Sequence, residues 1–261
     1  MKVLITGGTG TLGSAFVDAA RGKVDSIRIL SRRPQPDDAG RGIAWSQGNI
    51  STGDGINDAV NGVNVVVHAA TSPGRRSKGV DVGGTKRMLK AAEKAGVDLF
   101  LYPSIVGIED IPFSYYRHKL LAEQAIKEAD VPHAILRATQ FHSLVYQLIA
   151  AAMRFPFITF LPTDFQAQPV DSREVANQIV EHLQAGDTGR LPEFGGPEIS
   201  TLRDFSDQWM ELKQKSKSIF RLPFPGEVAR AFRNGKNITP ENRKGIVTWK
   251  EWLQRKEGET V

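Results

Sequence analysis

The chain has 261 residues and no cysteine, which excludes disulfides, thiolate nucleophiles and cysteine metal sites. Apolar content of 40% and charged content of 24% suit a soluble globular protein, long enough for one large domain or one with a small appendage. The net charge of +5 is uneven, because residues 211–256 carry a local +8. Those charges are interspersed with Phe220, Phe232, Trp249 and Trp252 and form no tight basic run, so a solvated helical tail is expected and a nucleic-acid partner is not.

Strand-like Lys2-Val3-Leu4-Ile5 opens the chain and is too short for a signal-peptide core, so a cytoplasmic protein is expected. Directly behind it stands Thr6-Gly7-Gly8-Thr9-Gly10-Thr11-Leu12-Gly13, a Gly-x-x-Gly-x-x-Gly loop ahead of a helix through Ala15-Ala20. Gly7 permits a tight exit from the strand, Gly10 clears space for a diphosphate, and Gly13 allows close helix–sheet packing. The helix N-terminus then aims unpaired N–H groups and the positive end of its dipole at the phosphates. The expected cofactor contacts are Thr6, Gly7, Thr9, Gly10, Thr11, Leu12 and Gly13.

A second strand, 26–31, ends at Ser31-Arg32-Arg33. An NAD-selective chain usually carries Asp or Glu there for the ribose 2′-OH. Arg32 and Arg33 instead offer guanidinium groups that fork onto a 2′-phosphate and stack on adenine. The expected cofactor is therefore NADP(H). Further strands are predicted at 42–46, 63–69, 98–104 and 133–138. Helices are predicted over Val80–Ala95, with a stripe of Val82, Thr85, Met88, Leu89 and Ala92 and a Gly96 cap, and over 114–129. Strand–helix alternation gives an α/β fold with a doubly wound parallel sheet that binds ligands at the carboxyl ends of its strands. At one such end, His68, Ala69 and Ala70 lie where ribose and diphosphate pass, although a histidine inside a strand is more often a hydrogen-bonded core residue.

Tyr115 and Lys119 stand four apart on the 114–129 helix, on one face and one turn apart. A Lys ammonium beside a phenol favours phenolate and lowers its pKa toward working pH. Such a tyrosine exchanges a proton with a carbonyl oxygen while hydride moves at carbon. Lys119 also reaches a nicotinamide ribose, and Ser104, ending a strand, can bond the substrate oxygen. Tyr116 is the runner-up acid, offset from Lys119 by three residues.

Beyond residue 140 the pattern loosens. The most apolar stretch, Ser143–Met153, is eleven uncharged residues, short of the about 20 a membrane span needs. Helices are expected at 172–185, 201–214, 226–233 and 246–256. Residues 1–140 read as the NADP-binding core and 141–261 as a mostly helical substrate lobe interleaved with it as one structural unit. Gln140, Phe141 and His142 line the substrate pocket or form a packed turn, and 141–165 is expected to order as a cover on binding. The five histidines are scattered without a paired carboxylate motif, so no metal is expected. No Gly-x-Ser-x-Gly elbow supports a hydrolase.

The opening Thr-Gly-Gly-Thr-Gly-x-x-Gly, Val65-Val66-Val67-His68-Ala69-Ala70, Val80-Asp81-Val82-Gly83-Gly84-Thr85, Ser104-Ile105-Val106-Gly107 and Tyr115-Tyr116-Arg117-His118-Lys119 together resemble an atypical short-chain dehydrogenase/reductase of the NmrA-like group, near the nucleotide-sugar epimerases. Ile135–His142 and Asp171–Ala176 are similar to later motifs of that group, so the likeness covers roughly residues 1–185. It implies a Rossmann-type fold, NADP(H), and Ser104, Tyr115 and Lys119 as an active triad. Relatives often place Asp after Gly48 near the adenine, where this chain has Asn49. The group also holds quinone reductases and cofactor sensors without turnover. The leading expectation is a reductase or dehydrogenase acting on a small carbonyl-type substrate, as a monomer or homodimer. The alternatives are an NADP(H) sensor without turnover, a quinone reductase and a sugar-nucleotide epimerase.

Overall fold

The computed structural model describes residues 1–36, 42–154 and 158–258. In chain order the elements begin β1 (Lys2–Thr6), α1 (Thr11–Ala20), β2 (Ser26–Ser31), β3 (Ile43–Gln47), α2 (Ile56–Val60) and β4 (Val65–His68). A π-helical segment (Lys78–Gly84) then leads into α3 (Thr85–Ala95), followed by β5 (Leu99–Ile105), α4 (Ser114–Lys127), β6 (His133–Ala138) and α5 (His142–Ala152). The remainder is β7 (Ile158–Leu161), β8 (Gln166–Ala167), α6 (Ser172–Ala185), β9 (Gly189–Arg190), β10 (Ser200–Thr201), α7 (Leu202–Leu212), β11 (Ser218–Arg221), α8 (Glu227–Arg233) and α9 (Trp249–Gly258).

The chain divides into two compact units. The first comprises Met1–Ser104, Ser114–Arg137 and Val175–Pro192; the second comprises Ile105–Phe113, Ala138–Glu174 and Glu193–Val261. The first holds a seven-stranded parallel sheet in the order β3-β2-β1-β4-β5-β6-β9. Neighbours β1 and β4 flank the point where strand order reverses, which opens a crevice at the carboxyl ends of the strands. Val3, Leu4 and Ile5 have no solvent exposure, as continuous apolar strands covered on both faces should. On one face Leu4, Val66 and Phe100 pack with Met88, Leu89 and Ala92 of α3 and Ala122 and Ile126 of α4. The expected stripe on α3 is thus the buried one, and Gly96 caps it at φ +66°.

The second unit is built around Val145, Ile149, Phe205, Trp209, Trp249 and Leu253. Its small pairings, β7 with β11 and β8 with β10, come from runs of two to four residues that carry no alternation a sequence reading could detect. The apolar stretch from Ser143 is α5, with Leu144 and Leu148 exposed. Among the described residues no helix is long and apolar enough to cross a membrane. Part of the expected cover, residues 155–157, lies outside the described residues.

Candidate dinucleotide and active site

The three glycines of the first loop do separate jobs. Gly7 adopts φ +71°, and a Cβ there would lie 2.8 Å from Ala70 N, so the bare Cα lets the β1 loop touch the chain leaving β4. A Cβ on Gly13 would sit 2.0 Å from Gly7 O, which locks α1 against the loop. A Cβ on Gly10 would meet only Gly7 O, at 3.3 Å, and otherwise faces open space. Gly10 is also the N-cap of α1, and no side chain caps that helix end or places an acid in its first turn. Exposed Thr9 and Thr11 flank it. An anion is what such an end accepts.

His68 shows how the second wall of the crevice is held. Its Nδ1 is 2.8 Å from Thr6 Oγ1 and its Nε2 is 3.1 Å from Thr85 Oγ1. Thr85 gives its own proton to the Asp81 carbonyl, so its oxygen accepts from Nε2–H; Nδ1 then accepts from Thr6, whose oxygen accepts the Ala70 N–H. Burial, and then the Lys119 charge, lower the imidazole to about 3, which fixes it neutral. The ring is thus hydrogen-bonded in the core, and Ala69 and Ala70 follow it at the carboxyl end of β4.

At the end of β2, Arg32 and Arg33 are exposed. Their backbone is held by residues the sequence reading did not single out. Trp45 Nε1 donates to Arg33 O at 2.9 Å, Gln47 Nε2 to Arg32 O at 3.5 Å, and Arg33 N donates to Ser31 Oγ at 3.1 Å. Trp45 and Gln47 come from β3, paired in parallel register with Ile29 and Ser31. Asn49 follows closely, since Gly48 N donates to Ser31 O at 2.8 Å, but Asn49 Oδ1 is engaged by Ser51 N in its own turn.

Ser104 stands on β5, buried, and among the described residues neither its Oγ nor Tyr102 Oη has a hydrogen-bond partner. A buried hydroxyl left unpaired is costly and marks a place where a ligand oxygen can bond. Lys119 donates to Pro103 O at 2.9 Å and lies 3.9 Å from the centre of the Tyr102 ring, so α4 delivers its ammonium to the same strand end. Burial lowers Lys119 to about 8, against the opposing pull of Asp81 and Glu123. Glu123, one turn further on, is itself paired with Arg137 through two bonds of 2.9 and 2.7 Å, both groups buried.

Tyr115 differs from expectation. Its hydroxyl lies 2.8 Å from Thr71 Oγ1, and burial pushes the phenol up to about 12; a Thr71 hydroxyl turned to donate to Tyr115 would oppose that rise, and Asp81 adds to it. The expected lowering by Lys119 is not found, because desolvation outweighs a cation held by Pro103 O. Tyr116 is more deeply buried and its phenol is also pushed up by burial.

The expected pocket residues lie in the second unit. The His142 Nε2–H bonds Val247 O at 3.0 Å, its Nδ1 has no partner among the described residues, and its ring lies 5.7 and 5.6 Å from those of Trp249 and Trp252. Gln140 donates to Asn237 O and accepts from Gln168 N. Beside them Phe141 is half-buried, and its backbone pairs with Val170. Among the described residues no group of histidines and acids could hold a metal.

A parallel sheet with a glycine loop at its switch point and an uncapped helix end facing open space defines a dinucleotide-binding protein of the Rossmann type. The NAD(P)H-binding family model matches residues 7–185, and the chain belongs to that family. A 3-beta-hydroxysteroid dehydrogenase of Mycolicibacterium neoaurum is 29% identical over 126 residues, covering 42% of this chain and 34% of that protein. The chain thus spans about a third of the length of the hydroxysteroid dehydrogenases it matches. A ceramide reductase of Caulobacter vibrioides is 25% identical, covering 86% of this chain and 74% of the relative. An NADPH-dependent quinone oxidoreductase of Escherichia coli, solved with NADPH, shares the fold with a TM-score of 0.83 at 17% identity, over 98% of this chain and 99% of the other.

Proposed function

We propose that this chain is an NADP(H)-dependent oxidoreductase that reduces a small carbonyl-type substrate, with Ser104, Tyr115 and Lys119 as its catalytic residues. The observation that carries the reading is the unpaired, buried Ser104 hydroxyl on the strand whose Pro103 carbonyl anchors Lys119. Arg32 and Arg33, exposed on a braced turn, supply the 2′-phosphate site that favours NADP(H) over NAD(H). The residues present fit the cofactor: open space at Gly10, an uncapped α1 and a β4 end fixed by His68.

NADPH, when bound, supplies hydride to the substrate carbon. Ser104 donates a hydrogen bond to the substrate oxygen and orients it. Tyr115 Oη, protonated across the working range, passes its proton to that oxygen as negative charge develops there. The Lys119 ammonium stabilises the phenolate left behind and holds a ribose hydroxyl. Two relatives whose names denote a dehydrogenase and a reductase support the same class.

Tyr115→Phe tests the assignment. It keeps the ring and its packing and removes the transferable proton, so turnover falls by about 10²–10⁴ while NADPH affinity is retained. Full turnover in the variant contradicts a side-chain acid and leaves direct hydride transfer, as to a quinone.

A further inference from the structure

Asp81 has no solvent exposure, sits in the π-helical segment ahead of α3, and plays no part in the chemistry described so far. We propose that Asp81 is a positioning residue that, through Thr71, holds Tyr115 as a proton donor, so that each turnover starts in the reducing sense. The proposal rests on the reading of Tyr115 as the acid.

Hydrogen-bond accounting carries it. Asp81 Oδ1 accepts the Thr71 hydroxyl at 2.5 Å and Oδ2 accepts Ser72 N–H at 3.2 Å. Threonine has a single hydroxyl proton. Once that proton goes to the carboxylate, the 2.8 Å contact between Thr71 Oγ1 and Tyr115 Oη is a bond only if the tyrosine donates. The resting chain is therefore Tyr115 to Thr71 to Asp81, and a phenolate at Tyr115 would meet a lone pair of Thr71 backed by a carboxylate. Free of Asp81, the Thr71 hydroxyl would turn and stabilise the phenolate instead.

The groups facing Tyr115 within this unit have opposing effects. Thr71 and Asp81 come from the chain after β4 and the Tyr116 ring, 6.1 Å away, from α4, while Lys119, also of α4, stands over the Tyr102 ring of β5. Lys119 favours phenolate, since its ammonium gives one of three N–H groups to Pro103 O and keeps its charge at the strand end. Asp81 opposes ionisation both by charge and by claiming the Thr71 proton. In the reducing direction the Tyr115 O–H bond breaks, the product O–H bond forms, and the phenolate recovers a proton from water. In the oxidising direction the product O–H proton must go to a phenolate, the form that Asp81 disfavours.

Ionisation of Tyr115 is read by ultraviolet difference titration, with the matching Tyr115→Phe proteins as blanks, in the parent and in Asp81→Asn. Asparagine keeps an oxygen for Thr71 and removes the charge. The expected result is a rise of about tenfold in the Tyr115 ionisation constant, a pKa lower by about one unit. An unchanged or smaller constant overturns the proposal. The titration uses no substrate, so it stands or falls independently of turnover in Tyr115→Phe. Should Asp81→Asn fail to fold, neutron diffraction of the unaltered chain decides: deuterium on Tyr115 directed at Thr71 and on Thr71 directed at Asp81 is expected, and deuterium on Thr71 directed at Tyr115 overturns the proposal.

Discussion

His68 ends β4 without solvent access, and both ring nitrogens are spoken for by Thr6 and Thr85. Its imidazole titrates near 3, and that of His142 near 4, against 6.5 for a free histidine, mainly because burial disfavours the charged ring. The unfolded chain binds protons that the folded chain refuses, so this stability is present above about pH 6.5 and is lost as pH falls. Each histidine contributes a slope of up to about 1.4 kcal/mol per pH unit across the interval 6.5 to 5. Denaturant unfolding at those two pH values should show the loss, and His68→Gln should flatten part of it; equal slopes in parent and variant would contradict the assignment. At this scale the sequence was informative about chemistry and silent about partners. The placement of Ser104 near the end of β5 and of Tyr115 and Lys119 on α4 was legible from spacing and strand position. Thr71, Asp81 and Trp45 were not, because a hydrogen bond between residues ten to forty-four apart leaves no local pattern.

Among the elements, β1, its glycine loop and α1 test whether folding and binding separate. Gly13 cannot carry a Cβ without striking Gly7 O at 2.0 Å, whereas Gly10, at φ −88° and ψ 174°, has backbone any residue adopts and a clear outward side. Gly13→Ala should therefore destabilise the fold by about 1–3 kcal/mol through overpacking. Gly10→Val should keep the fold and lose NADPH binding, because its isopropyl group takes the diphosphate's space. Thermal melting with NADPH fluorescence titration separates the two effects, and unchanged affinity in Gly10→Val would mean that the loop cradles no dinucleotide. The strands and α3 were legible because continuous apolar runs and a 3.6-residue stripe are strong signals over five or more residues. The π-helical turn was not: Val80 through Gly84 keeps the apolar spacing of the helix it precedes, while the Thr85 hydroxyl takes the Asp81 carbonyl. β9, two residues long, completes the sheet beyond β6 with no signature of its own.

For the whole chain, the units each draw on separated stretches of sequence, so a boundary near 140 marks where the pattern changes and does not enclose either unit. The basic segment 211–256 is largely tied within its own unit. Arg221 and Arg233 share Asp164 at 2.7 and 2.6 Å, Lys213 pairs with Glu257, and Arg255 pairs with Asp171. The account then comes down to whether a bound cofactor is consumed. The most direct test follows NADPH and NADH oxidation by the purified chain across aldehydes, ketones, quinones and imines. The account predicts that NADPH is oxidised with at least one carbonyl-type acceptor and more efficiently than NADH. Tight NADPH binding with no oxidation by any acceptor would contradict it, leaving a protein that senses the cofactor without using it.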